Sequence, residues 1–178
     1  MITAGGIRLE RLADEHAAAL LAFERENREW FARSVPDRGD AYFTAAGFAE
    51  RHQALLAEQA DGSCHFHLVL DGAGRIVGRV NLVDAAGGSA ELGYRVGESA
   101  AGRGVARAAV ERVCRLAAEQ YGLGTLTAVT TVDNAASRAV LARTGFTEAG
   151  AVTVDGRPGL AYRRALRAGV SAAAAIGQ

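Results

Sequence analysis

Apolar and charged residues alternate through residues 7–12, and that alternation predicts a half-buried strand. The period then lengthens. Asp14 precedes a helical pattern that runs to about residue 30, with Ala17, Leu20, Leu21, Phe23 and Glu24 around its inner face. Residues 32–42 are polar and hold Pro36 and Gly39, which predicts a loop; residues 48–59 predict a second helix, closed by a turn at Asp61-Gly62. Three strands follow at 64–70, 75–83 and 90–96, joined by the tight turns "DGAG" and "DAAGG". A helix over 104–120, a strand over 125–131 and a helix over 134–144 come next, then strands at 146–154 and 160–166.

Early strands joined by tight turns, ahead of a strand–helix–strand–helix–strand run, predict an α/β (α+β) fold. Its centre is a mixed, mostly antiparallel sheet with helices on both faces. No repeat or linker interrupts the pattern.

The 178 residues suit one domain with its own core. Net charge is zero, so bulk attraction to nucleic acid or to an anionic membrane is not expected. All the basic residues are arginine, which excludes a P-loop lysine, a Schiff-base lysine and a lysine general base. Cys64 and Cys114 are the only cysteines and predict packing thiols in a reducing compartment. No leader pattern and no apolar run of about 20 residues is present, so a cytoplasmic, soluble protein is expected.

The segment "ESAAGRGVARAAVERV" (residues 98–113) turns through Gly102-Arg103-Gly104 just where a helix begins. The amides of Gly102, Arg103, Gly104, Val105, Ala106 and Arg107 then include the orphan donors of a first helical turn, which suit a phosphate. A dinucleotide fingerprint fails, because Arg107 stands at the third glycine position. A plain glycine turn that starts a helix reads the two glycines equally well.

The flanking residues add a likeness. "ELGYRVGESAAGRGVARAAVERV" (91–113) resembles the acetyl-CoA-binding region of the GNAT superfamily of N-acetyltransferases, and "DNAASRAVLARTGF" (133–146) resembles its second signature. Within that superfamily the chain looks most like the ribosomal-protein alanine N-acetyltransferases, a likeness carried by "ENREWF" (26–31) and "DGRPGLAY" (155–162). It departs from the pattern at Ala101, where relatives carry Gln or Arg, and at Ser34-Val35-Pro36, where they often carry an aromatic before the proline.

The resemblance implies one N-acetyltransferase domain over residues 1–168, with 169–178 a flexible tail. It implies acetyl transfer from acetyl-CoA, without a metal, to a primary amine, foremost a protein N-terminus. A small-molecule amine such as an antibiotic or polyamine, or a non-catalytic acyl-CoA-binding module, are the other readings. A monomer or homodimer fits either. The cofactor contacts it implies are Tyr94, Val96, the six residues of the glycine turn, Asn134, Ser137 and Arg143. A backbone N–H near Val96 is expected to face the thioester oxygen. Glu91 is the candidate base, with a solvated strand-edge glutamate as the structural reading. Ser137 is the candidate donor to the leaving sulfur, and Asn134 is also a plain helix cap. His65 and His67 share a strand face and are expected to pack or hydrogen-bond; Trp30, Phe31, Tyr42 and Phe43 are expected to serve as core before acceptor groove.

Overall fold

The computed structural model describes residues 3–167. The expected tail, 169–178, lies outside the described residues. Seven strands form one sheet: β1 (Arg8–Arg11), β2 (His65–Leu70), β3 (Ile76–Ala86), β4 (Ser89–Val96), β5 (Thr125–Thr131), β6 (Thr147–Val154) and β7 (Arg157–Ala165). Their order across the sheet is β1-β2-β3-β4-β5-β7-β6. Every neighbouring pair is antiparallel except β4 and β5. The helices are α1 (Ala17–Glu26), α2 (Arg28–Ala32), α3 (Ala45–Ala60), α4 (Val105–Glu119) and α5 (Ala135–Arg143). None of the described helices is long and apolar enough to cross a membrane.

Two cores lie on the two faces of the sheet, as the period-2 pattern of β2 requires. Val69 packs with Val80, Leu82 and Leu92 against Val105, Ala109, Val110 and Val113 of α4. Its neighbours Leu68 and Leu70 pack the other way, with Leu20 and Phe23 of α1, Phe31 of α2, and Phe48 and Leu55 of α3.

The helix expected over 14–30 breaks at Asn27. The Asn27 side chain donates to the Phe23 carbonyl at 2.9 Å and accepts the Glu98 N–H at 2.9 Å, so it tethers the end of α1 to the loop after β4. β3 runs past its expected end to Ala86 by way of an irregular register beyond Val83, where Asp84 takes φ 52°. α3 starts earlier than expected because the Thr44 hydroxyl accepts the Gly47 N–H at 3.0 Å.

Candidate active site

β4 and β5 pair at three positions only, Ser89↔Thr125, Ala90↔Leu126 and Glu91↔Thr127. β4 then runs on to Val96 and β5 to Thr131 without pairing each other. Gly97 N–H donates to the Val77 carbonyl, on the β3 side, at 2.8 Å. Strand alternation therefore turns the backbone groups of Tyr94 and Val96 into the gap between β4 and β5. The Val96 carbonyl there accepts the Trp30 indole N–H at 3.0 Å. A cavity of about 310 Å³ fills the gap. Residues 92–94 and 128–131 wall it, with Asn134, Ser137 and Leu141 of α5, residues 32–36, and Val154, Asp155 and Arg157 from the β6–β7 hairpin. Its size is that of a small-ligand site, and unpaired strand backbone supplies directed donors and acceptors.

The glycine turn stands just beyond β4. Gly104 caps α4 in the left-handed region (φ 75°), and no side chain caps the helix. Gly102 is left-handed too, at φ 69°, with open space where a Cβ would stand. None of the six amides from Gly102 to Arg107 donates to a described backbone or side-chain acceptor. A 15-residue helix with its first-turn donors free and two glycines at its mouth has donors that suit an anion. The fit extends to an acyl-CoA, whose pyrophosphate would meet these amides and whose pantetheine arm would lie along the unpaired edges of β4 and β5. Gly104→Val is therefore expected to weaken acetyl-CoA binding at least about tenfold, or about 1.4 kcal/mol, by covering the backbone and straining a β-branched residue at positive φ. Calorimetric titration of the folded variant reads this directly; unchanged affinity would remove the loop from the site.

The other sequence candidates divide between the two faces. Asn134 caps α5, its Oδ1 accepting the Ser137 N–H at 3.1 Å. The Tyr94 hydroxyl meets Ser137 Oγ at 3.1 Å in the cavity wall. Burial raises the Tyr94 pKa, so its hydroxyl stays protonated and available as a donor to Ser137. Glu91 is half-buried at the closed end of the gap, where β4 and β5 still pair, and is outside the cavity wall. Alternation along β4 points it to the face opposite Tyr94, shared with Gly93 and Arg95. Burial first, and then the neighbouring Asp84, push its pKa up. The structure thus brings Tyr94, Asn134 and Ser137 together and holds Glu91 apart from them. Arg103 and Arg143 are exposed, and Arg107 pairs with Glu111 of its own helix at 3.0 Å.

Of the wall formed by residues 32–36, the sequence marked only Ser34-Val35-Pro36, as a departure from the family pattern, and not the cluster behind it. The loop over 32–36 is held from below by Arg28, whose guanidinium grips both carboxylate oxygens of Asp37 at 3.0 and 2.7 Å, reaches Asp40 at 2.7 Å and lies 4.1 Å from the centre of the Phe43 ring. Beneath it, Glu24 is 1% exposed and receives Arg79 at 2.9 Å and Arg95 at 2.6 Å on each oxygen. A glutamate on the inner face of a helix pattern was the one sequence signal of this cluster. Phe31 lies in the core, with Trp30 and Tyr42 packed against it. His65 stacks on Tyr121 at 3.7 Å, and His67 hydrogen-bonds the Tyr121 hydroxyl at 2.7 Å.

Known structures share this fold. Over 90% of this chain and 93% of the other, the fold matches a ribosomal-protein-S5-alanine acetyltransferase from Vibrio fischeri with a TM-score of 0.84 and 20% identity. Mycobacterium smegmatis RimJ in complex with CoA-disulfide matches with a TM-score of 0.83 and 25% identity, over 92% of this chain and 84% of the other. A spermidine N-acetyltransferase chimera from Vibrio cholerae and hSSAT matches with a TM-score of 0.73 and 16% identity, over 90% of this chain and 96% of the other. No curated protein matches by sequence. The model of the acetyltransferase (GNAT) domain matches residues 7–147, which is most of the chain and includes the parted strands, the free loop amides and the capped α5. The protein is a member of the GNAT family, an acetyltransferase that uses acetyl-CoA.

Proposed function

We propose that the protein acetylates the α-amino group of protein N-termini, as the names of its ribosomal-protein neighbours suggest for those proteins. The observation that carries this reading is the passage between β4 and β5. Tyr94 and Ser137 line one part of it, and residues 32–36 line another. Val35 and Val129, 45% and 41% exposed, stand in its wall. Exposed valines beside Arg33 and Arg157 suit an extended polypeptide end better than a polycation. Its two buried free thiols, Cys64 and Cys114, fit action in the reducing cytoplasm.

Acetyl-CoA supplies the thioester carbonyl that the amine attacks. The loop amides of Gly102 to Arg107 hold its pyrophosphate, and the backbone of β4 near Tyr94 and Val96 orients the acyl end. An α-amino group, with a reference pKa of about 7.7–8.0, is mostly protonated at neutral pH. Glu91 takes that proton through water, from the face on which the amine enters. Ser137, itself held by the Tyr94 hydroxyl and the Asn134 cap, donates a hydrogen bond to the departing sulfur. Arg103 and Arg143 add positive charge at the cofactor's phosphates.

The reading is tested by mass spectrometry of peptides with varied first residues, incubated with enzyme and acetyl-CoA beside spermidine; acetylation of spermidine with every peptide untouched would overturn it. The two roles separate kinetically. Glu91→Gln is expected to lose most activity near neutral pH and to recover part of it as pH rises and free amine forms unaided. The parent's rate is expected to fall on the acid side as Glu91 takes up a proton, at a higher pH than for an unperturbed glutamate because burial and Asp84 raise its pKa. Ser137→Ala is expected to lower turnover about ten- to a hundredfold while cofactor affinity holds. A Glu91→Gln profile that overlays the parent after scaling, or Ser137→Ala turnover within about twofold, returns that residue to a structural role.

A further inference from the structure

The described strands hold four glycines, Gly78, Gly93, Gly150 and Gly159. Glycine weakens a strand, so each calls for a reason. Three have theirs within the chain. A Cβ on Gly78 would stand 2.8 Å from the Arg95 carbonyl oxygen, and one on Gly159 would stand 2.6 Å from Val154 Cγ2 and 2.9 Å from the Thr130 carbonyl oxygen. Gly150 takes φ 132° beside the irregular register of β6. Gly93 has neither reason. Its φ is not positive, and beyond its two chain neighbours no atom comes within 4 Å of where its Cβ would stand. The chain itself has room for a side chain there. A strand glycine with no such need marks a place where a ligand comes close to the backbone.

Gly93 is exposed and stands in the wall of the cavity between β4 and β5. Tyr94, the next residue, faces Ser137, so alternation turns the bare Cα of Gly93 to the other face of the sheet. Glu91 shares that face two residues before it, about 7 Å along the strand. Arg95 shares it two residues after, and Glu24 holds its guanidinium. Continuing the register two residues past Glu91↔Thr127 sets Val129, 41% exposed, level with Gly93 across the gap. Resting on the reading of this cavity as the site of amine acetylation, we propose that Gly93 is a specificity-determining residue: the space left by its missing side chain receives the α-carbon and first side chain of the acceptor. The size of residue 93 then decides which first residues reach the thioester. The cofactor, lying along the backbone edge of β4 in the plane of the sheet, does not use this space.

Initial rates are measured with the full chain and acetyl-CoA on Gly-Ser-Ala-Tyr-amide, Ala-Ser-Ala-Tyr-amide and Val-Ser-Ala-Tyr-amide, for the parent, Gly93→Ala and Gly93→Val. Gly93→Ala is expected to unfold in urea at the parent's midpoint or above it, because the added methyl meets no atom of the chain and glycine is the costlier residue in a strand. Its acetyl-CoA affinity is expected to stay within about twofold of the parent's. Its kcat/KM is expected to fall about tenfold or more on the Ala peptide, further on the Val peptide and least on the Gly peptide, since one methyl group of misfit is worth about ten- to two-hundredfold. Gly93→Val is expected to leave only the Gly peptide measurable. Stability that holds while selectivity narrows is a pattern that a structural glycine does not give. Rates and selectivity within about twofold of the parent overturn the inference, and so does an equal fall on all the peptides or a matching loss of acetyl-CoA affinity. A Gly93→Ala protein that fails to fold also overturns it, by showing that the chain itself needs the glycine. In each of these outcomes the parent still acetylates peptides and the proposed function stands. A parent that acetylates spermidine and none of the peptides strikes the proposed function itself, and the inference falls with it.

Discussion

Glu24→Gln is expected to cost about 3–5 kcal/mol of folding stability, the range for breaking a buried ion pair from one side. The substitution keeps shape and removes charge, so the buried Arg79 and the partly buried Arg95 are left beside a neutral amide with no carboxylate between them. A domain with about 5–15 kcal/mol in total loses a large share of its margin. Urea denaturation reads the loss as a lower midpoint at constant slope. A variant that does not fold agrees in direction, and the double variant Glu24→Gln, Arg79→Met then serves as the measure. It removes one of the two orphaned cations and is expected to recover part of the stability. A shift under about 1 kcal/mol in the single variant would mean that water screens the cluster after all.

Acid is expected to unfold the protein through His67. Burial, with lesser contributions from His65 and Arg11, lowers the His67 pKa to about 4. The unfolded chain has the ordinary value, 6.5. Between the two, the unfolded state binds the proton and the native state does not, so stability rises with pH. It is fully present above about 6.5, is lost as pH falls from 6.5 towards 4, and the loss is complete below that; its size is on the order of 3 kcal/mol. Carboxylates titrate in the same region, so the comparison is with His67→Gln. That variant's stability curve is expected to be flatter than the parent's over this window. Parallel curves would show that His67 is protonated in the native state at little cost.

Much of the fold was legible because its signals are local. Residues 125–131 form a strand at the expected bounds, set off by Gly124 before it and the Asn134 cap after it. The period-2 pattern on β2 placed His65 and His67 on one face, and both meet Tyr121. Gly102 and Gly104 marked the helix start, and both adopt the positive φ that glycine allows. What stayed hidden depends on partners far along the chain. Arg79 lies 55 residues from Glu24 and Arg95 lies 71, so the acid on the inner face of α1 was visible while the bases that satisfy it were not. Asn27 sits in an unbroken helical pattern, and only its bond to the Glu98 N–H, 71 residues on, explains the break. The parting of β4 from β5 leaves no mark in either strand's composition, because it consists of pairing that does not occur.

That parting also governs how the sheet transmits force. In a continuous sheet each strand braces the next along its whole length. Here β1 to β4 form one plate and β5 to β7 another, and three register positions make the backbone seam between them. Beyond the seam the plates are coupled by side chains beneath α4, where Leu92 shares a core with Leu126 and Ala128. Such contacts are non-directional and tolerate small rotations that a ladder of hydrogen bonds resists. The seam is thus short, with its closed end at Glu91 and Thr127 and its free ends at Val96 and Thr131. A ligand bonded to both free edges would take the place of the missing rungs and brace the two plates against each other, so that its binding would add to the stability of the whole sheet.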